Sequence, residues 1–426
     1  MTIQRINTGI TKHFRKLITP GWERTLYIMF FGQLMTAVGF SSIFPFLPLY
    51  VRELGTQTGL SIEFLAGAVF SAQAITMMIA SPVWGSVADR YGRKLMVERS
   101  MFGGAILLLL MAFVRSAEEL VVLRAIQGLI TGTMAAANAL IAGIAPRRQM
   151  GYAMGLIQVG LGAGIALGPL LGGVVADTFG YSEAFYVTSA LLFAAGLLVW
   201  WGVKESFVPT EVQKRKSFMS AWREILRSSG VRVAYTLRFF SQLGRMMIVP
   251  VAPLFVASLM VGEDRVNTMT GLMIGAHAAT ATISAVYLGR LGDRIGHRKI
   301  VIVCMGVVGL LYIPQSMVTR DWQLIGLQAL AGIPVGGILP AISALLAKFT
   351  QEGREGAVFG LDNSIISGAR SVAPLIGSGL AIWFGLRTTF LATGLLYLGA
   401  MMLAILKLPT GREESIPVSG GKSGDT

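Results

Sequence analysis

Twelve stretches of about 20 mostly apolar residues follow one another along the chain, beginning near Leu26, Ile62, Leu95, Leu120, Tyr152, Ala184, Val233, Met269, Ile300, Leu324, Ala357 and Thr389. A helix of that length crosses the hydrocarbon of a bilayer and satisfies its own backbone hydrogen bonds there. Barrel strands are shorter and alternate strictly, so the expected fold class is an all-α membrane protein of twelve transmembrane helices. With 54% hydrophobic and 14% charged residues and a mean hydropathy of +0.65, the chain has too little polar surface for a soluble globule.

The twelve stretches fall into two sets of six, and a loop motif marks the same place in each. Gly85, Asp89, Arg90, Gly92 and Lys94 recur 204 residues later as Gly289, Asp293, Arg294, Gly296 and Arg298. Such a repeat predicts two pseudo-symmetric six-helix bundles.

The formal net charge of +14 invites a nucleic-acid reading, but the placement of the charge argues against one. Of the 36 Lys and Arg residues, 26 fall in the termini and even-numbered connections, 5 in odd-numbered connections and 5 inside spans. By the positive-inside rule this asymmetry sets both termini in the cytoplasm and makes the basic loops a contact for anionic lipid. The expected organisation is a cytoplasmic basic segment (1–24), a six-helix bundle (25–204), a cytoplasmic linker (205–231), a second bundle (232–408) and a disordered tail (409–426). Within the first segment Ile3, Ile6, Ile10, Phe14 and Leu17 recur at steps of 3 or 4, which suits a helix lying on the inner leaflet; a disordered basic tail fits equally well. The first twenty residues hold no continuous apolar core, so no cleavable signal peptide is expected. Cys304, alone in the ninth span, permits no intrachain disulfide.

Three motifs together resemble the major facilitator superfamily, in its twelve-span drug:proton antiporter branch. The paired G-x-x-x-D-R-x-G loops are similar to its signature loop. Leu123, Arg124, Gln127, Gly128 and Gly132 of the fourth span resemble a motif of proton-coupled members. Gly155, Gly164, Gly168, Pro169, Gly172 and Gly173 match the fifth-span antiporter signature at every position. Pro45 to Tyr50 at the close of the first span and Asn138 in the fourth fit the same branch, and within it the chain is similar to MdtG-like multidrug-resistance exporters. The second half keeps the pattern in part: Gly332 and Gly336 repeat Gly128 and Gly132, but Gln328 stands in place of Arg124.

This resemblance implies a proton-coupled antiporter that exports amphipathic compounds across the cytoplasmic membrane, with small molecules, protons and lipids as partners, no nucleic acid, no cofactor and a monomeric state. A dedicated exporter of one metabolite, sugar or antibiotic such as tetracycline is the alternative. The resemblance assigns Asp89, Arg90, Arg93, Asp293 and Arg294 to a conformational latch favouring the outward-open state; an interfacial turn that only sets topology is the plain alternative. It also gives Arg124 a part in proton coupling by tuning a nearby carboxylate, unless that side chain simply snorkels to the outer interface.

The residues themselves supply the rest. Gly160, Gly164, Gly168 and Gly172 share one helical face, so a second backbone is expected to pack closely there, and Pro169 removes a donor and can bend the helix. Arg238, Gln242 and Arg245 share one face of the seventh span, too deep for easy snorkelling. They line a central cavity or belong to an ion pair inside the second bundle; Arg370 and His277 add positive character. If they line the cavity, anionic or zwitterionic amphipaths are preferred over cations. The carboxylates inside spans are Asp362 and Glu98, the candidates for proton coupling, although Glu98 beside Arg99 also reads as an interfacial pair. Only three histidines are present, and no metal-spaced cluster, nucleotide loop or nucleophile elbow can be placed, so no enzyme is expected.

Overall fold

The computed structural model describes residues 21–205, 229–260, 265–349 and 355–409. Most of the expected basic segment, linker and tail lies outside these residues. Among the described residues there are fifteen α-helices. The first span comprises α1 (Trp22–Ser42) and α2 (Leu47–Leu54), the second α3 (Ile62–Tyr91), the third α4 (Arg93–Met111), and the fourth α5 (Ala117–Ile130) and α6 (Thr133–Ile144). The fifth and sixth are α7 (Met150–Phe179) and α8 (Tyr181–Gly202). In the second half, α9 (Ser229–Ile248) and α10 (Ala252–Leu259) form the seventh span. They are followed by α11 (Val266–Ile295), α12 (His297–Gln315), α13 (Asp321–Lys348), α14 (Glu355–Phe384) and α15 (Leu386–Lys407).

Nine of these helices are long and apolar enough to cross a membrane, and α9 with α10, bent by 40°, makes a tenth. The other two spans are α4, whose first two turns carry Arg93, Lys94, Glu98 and Arg99, and the α5–α6 pair. The breaks have local causes. Pro45 and Pro48 in the first span recur 205 residues later as Pro250 and Pro253 in the seventh, and each proline withdraws a backbone donor from the helix. Between α5 and α6, Gly132 takes φ 142°, a conformation other residues rarely adopt, and its N–H donates to Ser100 Oγ at 3.0 Å. Gly336, its counterpart, stays helical, and the tenth span is unbroken.

Each half has its own apolar core. Between the halves α7 packs on α11 and α3 on α14, with a smaller contact of α2 on α10. These contacts gather at one end. Gly173 abuts the Asn267 backbone, Gly271 the Pro169 backbone, and Gly67 the Pro374 carbonyl and Ser378. Leu254 of α10 joins the apolar cluster of the first half there. At the other end, added methyls on Gly151 and Gly155 of α7, Gly289 of α11 and Gly360 of α14 would meet nothing within 4 Å. A crevice between the halves is therefore sealed at one end and open at the end that carries both loop motifs.

Candidate functional site

The best-defined polar feature inside the spans is the meeting of Arg238 with Asp362. Arg238 Nε donates to Asp362 Oδ1 at 3.0 Å and Nη2 to Oδ2 at 2.7 Å, a two-point ion pair between α9 and α14 with each side chain 7% exposed. Arg238 also donates to the Leu339 carbonyl at 3.3 Å and Ser343 Oγ at 3.5 Å, both on α13. One guanidinium thus ties three spans together around a single carboxylate. A buried pair of this kind roughly balances desolvation against attraction, and loss of either partner leaves an uncompensated charge. Of the two expectations for the face of Arg238, Gln242 and Arg245, a cavity lining or an ion pair inside the second bundle, Arg238 takes the second form, because Asp362 faces it from α14.

Arg245 is different. It lies about 24 Å along α9 from Ser229 at 1.5 Å per residue, half-buried, and its one hydrogen bond goes from Nη2 to Gln242 Oε1 at 3.1 Å. Its Nε, the Gln242 Nε2 and the Arg370 Nε are buried and have no hydrogen-bond partner among the described residues. Arg370, half-buried on α14, lies within electrostatic reach of both Arg245 and Arg238. His277 is a packing residue on α11: its Nδ1 is 3.0 Å from the Gln328 carbonyl. Gln328 in turn donates to Gln315 Oε1 at 3.0 Å.

Arg124 is 1% exposed and does not snorkel. Its Nε donates to the Val69 carbonyl at 3.2 Å and Nη1 to Gln127 Oε1 at 2.6 Å, while Phe70 lies beneath the guanidinium at 5.7 Å. No carboxylate among the described residues is ion-paired with it; α5 lays this side chain against the α3 backbone. Glu98 pairs with Lys94 at 3.3 Å, one turn away on α4, rather than with Arg99. Arg99 instead stacks over Trp84 at 3.6 Å.

The fifth-span glycines divide between two neighbours. Gly160, Gly164, Gly168 and Gly172 face α1, where added methyls would run into Phe30, Leu34, Val38 and Ser42, and Ser41 Oγ donates to the Gly164 carbonyl at 3.0 Å. Gly162 and Gly173 pack against α11 of the other half, so α7 is close-packed on both sides. Gly155, also in the motif, meets nothing in this state.

At the sealed end sequence reasoning overlooked Asp177, in the last turn of α7. Its Oδ1 accepts from the Asn267 N–H at 3.2 Å and from Asn267 Nδ2 at 2.7 Å, and Oδ2 accepts from the Thr268 N–H at 2.6 Å. A carboxylate of the first half thereby caps the N-terminus of α11 in the second, whose own N-cap residue, Arg265, provides no side-chain cap. Glu205 was also missed: it accepts from the Arg93 and Lys94 N–H groups at 3.1 and 2.8 Å, capping α4.

At the open end none of the described latch side chains is paired across the two halves. Asp293 is 73% exposed and touches only His297 in its own half, at 3.3 Å; Arg90 and Arg294 are exposed. Arg93 donates to the Ala139 carbonyl at 2.6 Å, within the first half. The Asp89 side chain lies outside what the structure describes. Lys94 and Arg298, equivalent in the repeat, donate to carbonyls at the ends of α8 and α15, so the second motif anchors its bundle as the first does.

Comparison with known proteins places this architecture. The Major Facilitator Superfamily sequence model matches residues 29–237 and 234–424. The chain is 35% identical over 372 residues to the "Multidrug resistance protein MdtG" of Salmonella paratyphi A, covering 87% of this chain and 92% of that one. It is 36% identical over 409 residues to the MdtG protein of Enterobacter lignolyticus, covering 95% and 97%. In shape it is similar to the crystal structure of a bacterial homolog of the human lysosomal transporter Spinster in an inward-facing, unoccupied conformation, with a TM-score of 0.76 at 14% identity over 92% of this chain and 97% of that one. With twelve spans in two repeated bundles and these matches along nearly its whole length, the chain belongs to the major facilitator superfamily.

Proposed function

We propose that the chain exports amphipathic drugs or toxic compounds across the cytoplasmic membrane as a proton-coupled antiporter, by alternating access, with both termini on the cytoplasmic side. The names of its relatives support the substrate class, and the basic connections support the orientation. On that orientation the crevice opens to the cytoplasm. The observation that carries the mechanism is the buried Arg238–Asp362 pair that joins α9, α13 and α14.

Asp362 is the proton carrier in this reading. Ionised, it fixes Arg238 and through it holds α9, α13 and α14 in one arrangement. A proton delivered when the crevice faces outward removes the carboxylate charge, weakens the pair and lets the three helices shift. Asp89, Arg90, Arg93, Asp293 and Arg294 close the cytoplasmic mouth in the opposite state, while Asp177 holds the outer end shut in this one. Arg124 fastens α5 to α3, and Glu98 is an ion-paired anchor near the mouth.

Purified protein in proteoliposomes with an imposed pH gradient, offered a panel of unrelated amphipaths, tests the proposal. Several compounds should be driven against their gradients by wild type, and by Asp362→Asn only down them. Transport of a single compound, or of none, or unaltered proton-driven transport by Asp362→Asn, would refute it.

A further inference from the structure

The described interior of the second bundle carries three arginines, Arg238, Arg245 and Arg370, against the single carboxylate of Asp362. Both oxygens of that carboxylate are engaged by Arg238. Arg245 and Arg370 form no ion pair among the described residues. The nearby acceptors are committed elsewhere: the Gln328 carbonyl faces His277, the Ser241 carbonyl accepts from Tyr397, and Gln242 Oε1 already serves Arg245. What remains is a set of buried donors without acceptors: Nε of Arg245, Nε of Arg370 and Nε2 of Gln242. All three call for the same kind of partner, an oxyanion.

The placement shows where that partner would enter. α9 and α14 run side by side, with Tyr235 donating to the Val358 carbonyl at 2.9 Å, Arg238 meeting Asp362 farther along, and Gly377 abutting the Met247 backbone farther still. Arg370 falls between the last two levels, as Arg245 does, beyond the ion pair as seen from the open end, and the two cations feel one another's charge. Both are half-buried, whereas Arg238 is sealed in. Uncompensated cations inside two adjacent spans are costly. An oxyanion with two or three oxygens offsets that cost through charge-assisted, two-point hydrogen bonds that guanidinium geometry favours.

We infer that Arg245, Arg370 and the Gln242 amide form a subsite for the acidic group of an amphipathic solute, a carboxylate, phosphonate or sulfonate. This deepens the exporter reading and rests on it. The subsite belongs to the second half alone. At the 205 offset the first half has Phe40 and Ile165 where Arg245 and Arg370 stand, so the acidic group is held on one wall of the crevice and the apolar body is left to the rest.

Three probes that share a naphthylhexyl tail and end in a carboxylate, a neutral amide or a trimethylammonium group test the inference on the full chain. Binding is read by fluorescence in nanodiscs of zwitterionic lipid, and export in proteoliposomes. The carboxylate probe should bind tightest. Arg245→Gln and Arg370→Gln should each weaken it roughly tenfold, with the lysine variants recovering part, while the amide and ammonium probes are unchanged or bind better. Size-exclusion profiles and helical circular dichroism matching wild type establish that each variant is folded. Folded variants that bind the carboxylate as wild type does, or lose all three probes equally, would overturn the inference. So would loss of carboxylate binding when phosphatidylglycerol is added to the discs, because a lipid headgroup would then be the occupant. Export of the ammonium probe without carboxylate binding defeats the subsite and leaves the exporter reading standing. Carboxylate binding with no probe exported does the reverse.

Discussion

Asp177→Asn isolates the clamp at the sealed end, because it keeps the shape of the side chain and removes its charge. In the sealed state the carboxylate accepts three hydrogen bonds from Asn267 and Thr268, at 3.2, 2.7 and 2.6 Å, at the N-terminus of a thirty-residue helix. A hydrogen bond to a charged group is worth about 1.5–3 kcal/mol net, and the helix terminus adds about 0.3–1 kcal/mol. Asparagine keeps one acceptor but sets its NH2 against the Thr268 N–H, so at least one charged bond is lost, about 2 kcal/mol. Opening separates Asp177 from α11, and the loss therefore falls on the sealed state. The ratio of outward-open to sealed molecules should rise roughly 30-fold. Spin labels at Leu60 and Met317, exposed at the sealed end in opposite halves, report that ratio as a distance distribution in a Cys304→Ser background. Asp177→Ala should shift it at least as far. A distribution unchanged in both variants would show that the apolar contacts around Leu254, and not the carboxylate, keep this end closed.

Other expectations follow from single contacts. Arg238→Gln and Asp362→Asn should each lower stability by about 3–5 kcal/mol, since each leaves a lone buried charge. The double variant should recover most of the loss in thermal unfolding, and additive losses would refute the coupling. Gly172→Val should destabilise by about 1–3 kcal/mol through overpacking against the Ser42 carbonyl. Gly155→Ala, in open space, should unfold at the wild-type temperature, and a matching loss in both would contradict the packing described for α7.

The sequence made the scaffold legible because the bilayer imposes span length and the repeat imposes symmetry. The glycine face of α7 was readable too, since a four-residue step fixes a helical face whatever packs on it; that α1 is the partner was not. Arg238 and Asp362 were each singled out, yet nothing local links residues 124 apart in sequence, so the pair itself was invisible. Arg124 was given a carboxylate to tune by resemblance; its contacts are Gln127, which stands in the same motif, and the Val69 carbonyl, which no local pattern marks. Asp177 and Glu205 passed as ordinary acids at span ends. Their capping role depends on which helix N-terminus lies opposite, and the one available sign was negative: neither α4 nor α11 begins with a side chain that caps it. The repeated Pro45/Pro48 and Pro250/Pro253 pairs were in plain view and mark the bends of the first and seventh spans.

If the solute carries an acidic group and leaves in exchange for a proton, the two movements have the same electrical sense. One proton entering and one monoanion leaving carry two charges inward, worth about 4.6 kcal/mol per 100 mV of inside-negative potential. One proton exchanged for a monocation carries none. Proteoliposomes clamped with potassium and valinomycin, at equal pH on both sides, should therefore export the carboxylate probe faster as the potential is raised and export the trimethylammonium probe at a constant rate. The contrast reaches back to Asp362: with Asp362→Asn no proton moves, and the carboxylate probe should keep only the share of the voltage response due to its own charge, about half. A carboxylate flux indifferent to voltage in wild type would break the link between the unpaired arginines and the direction of transport.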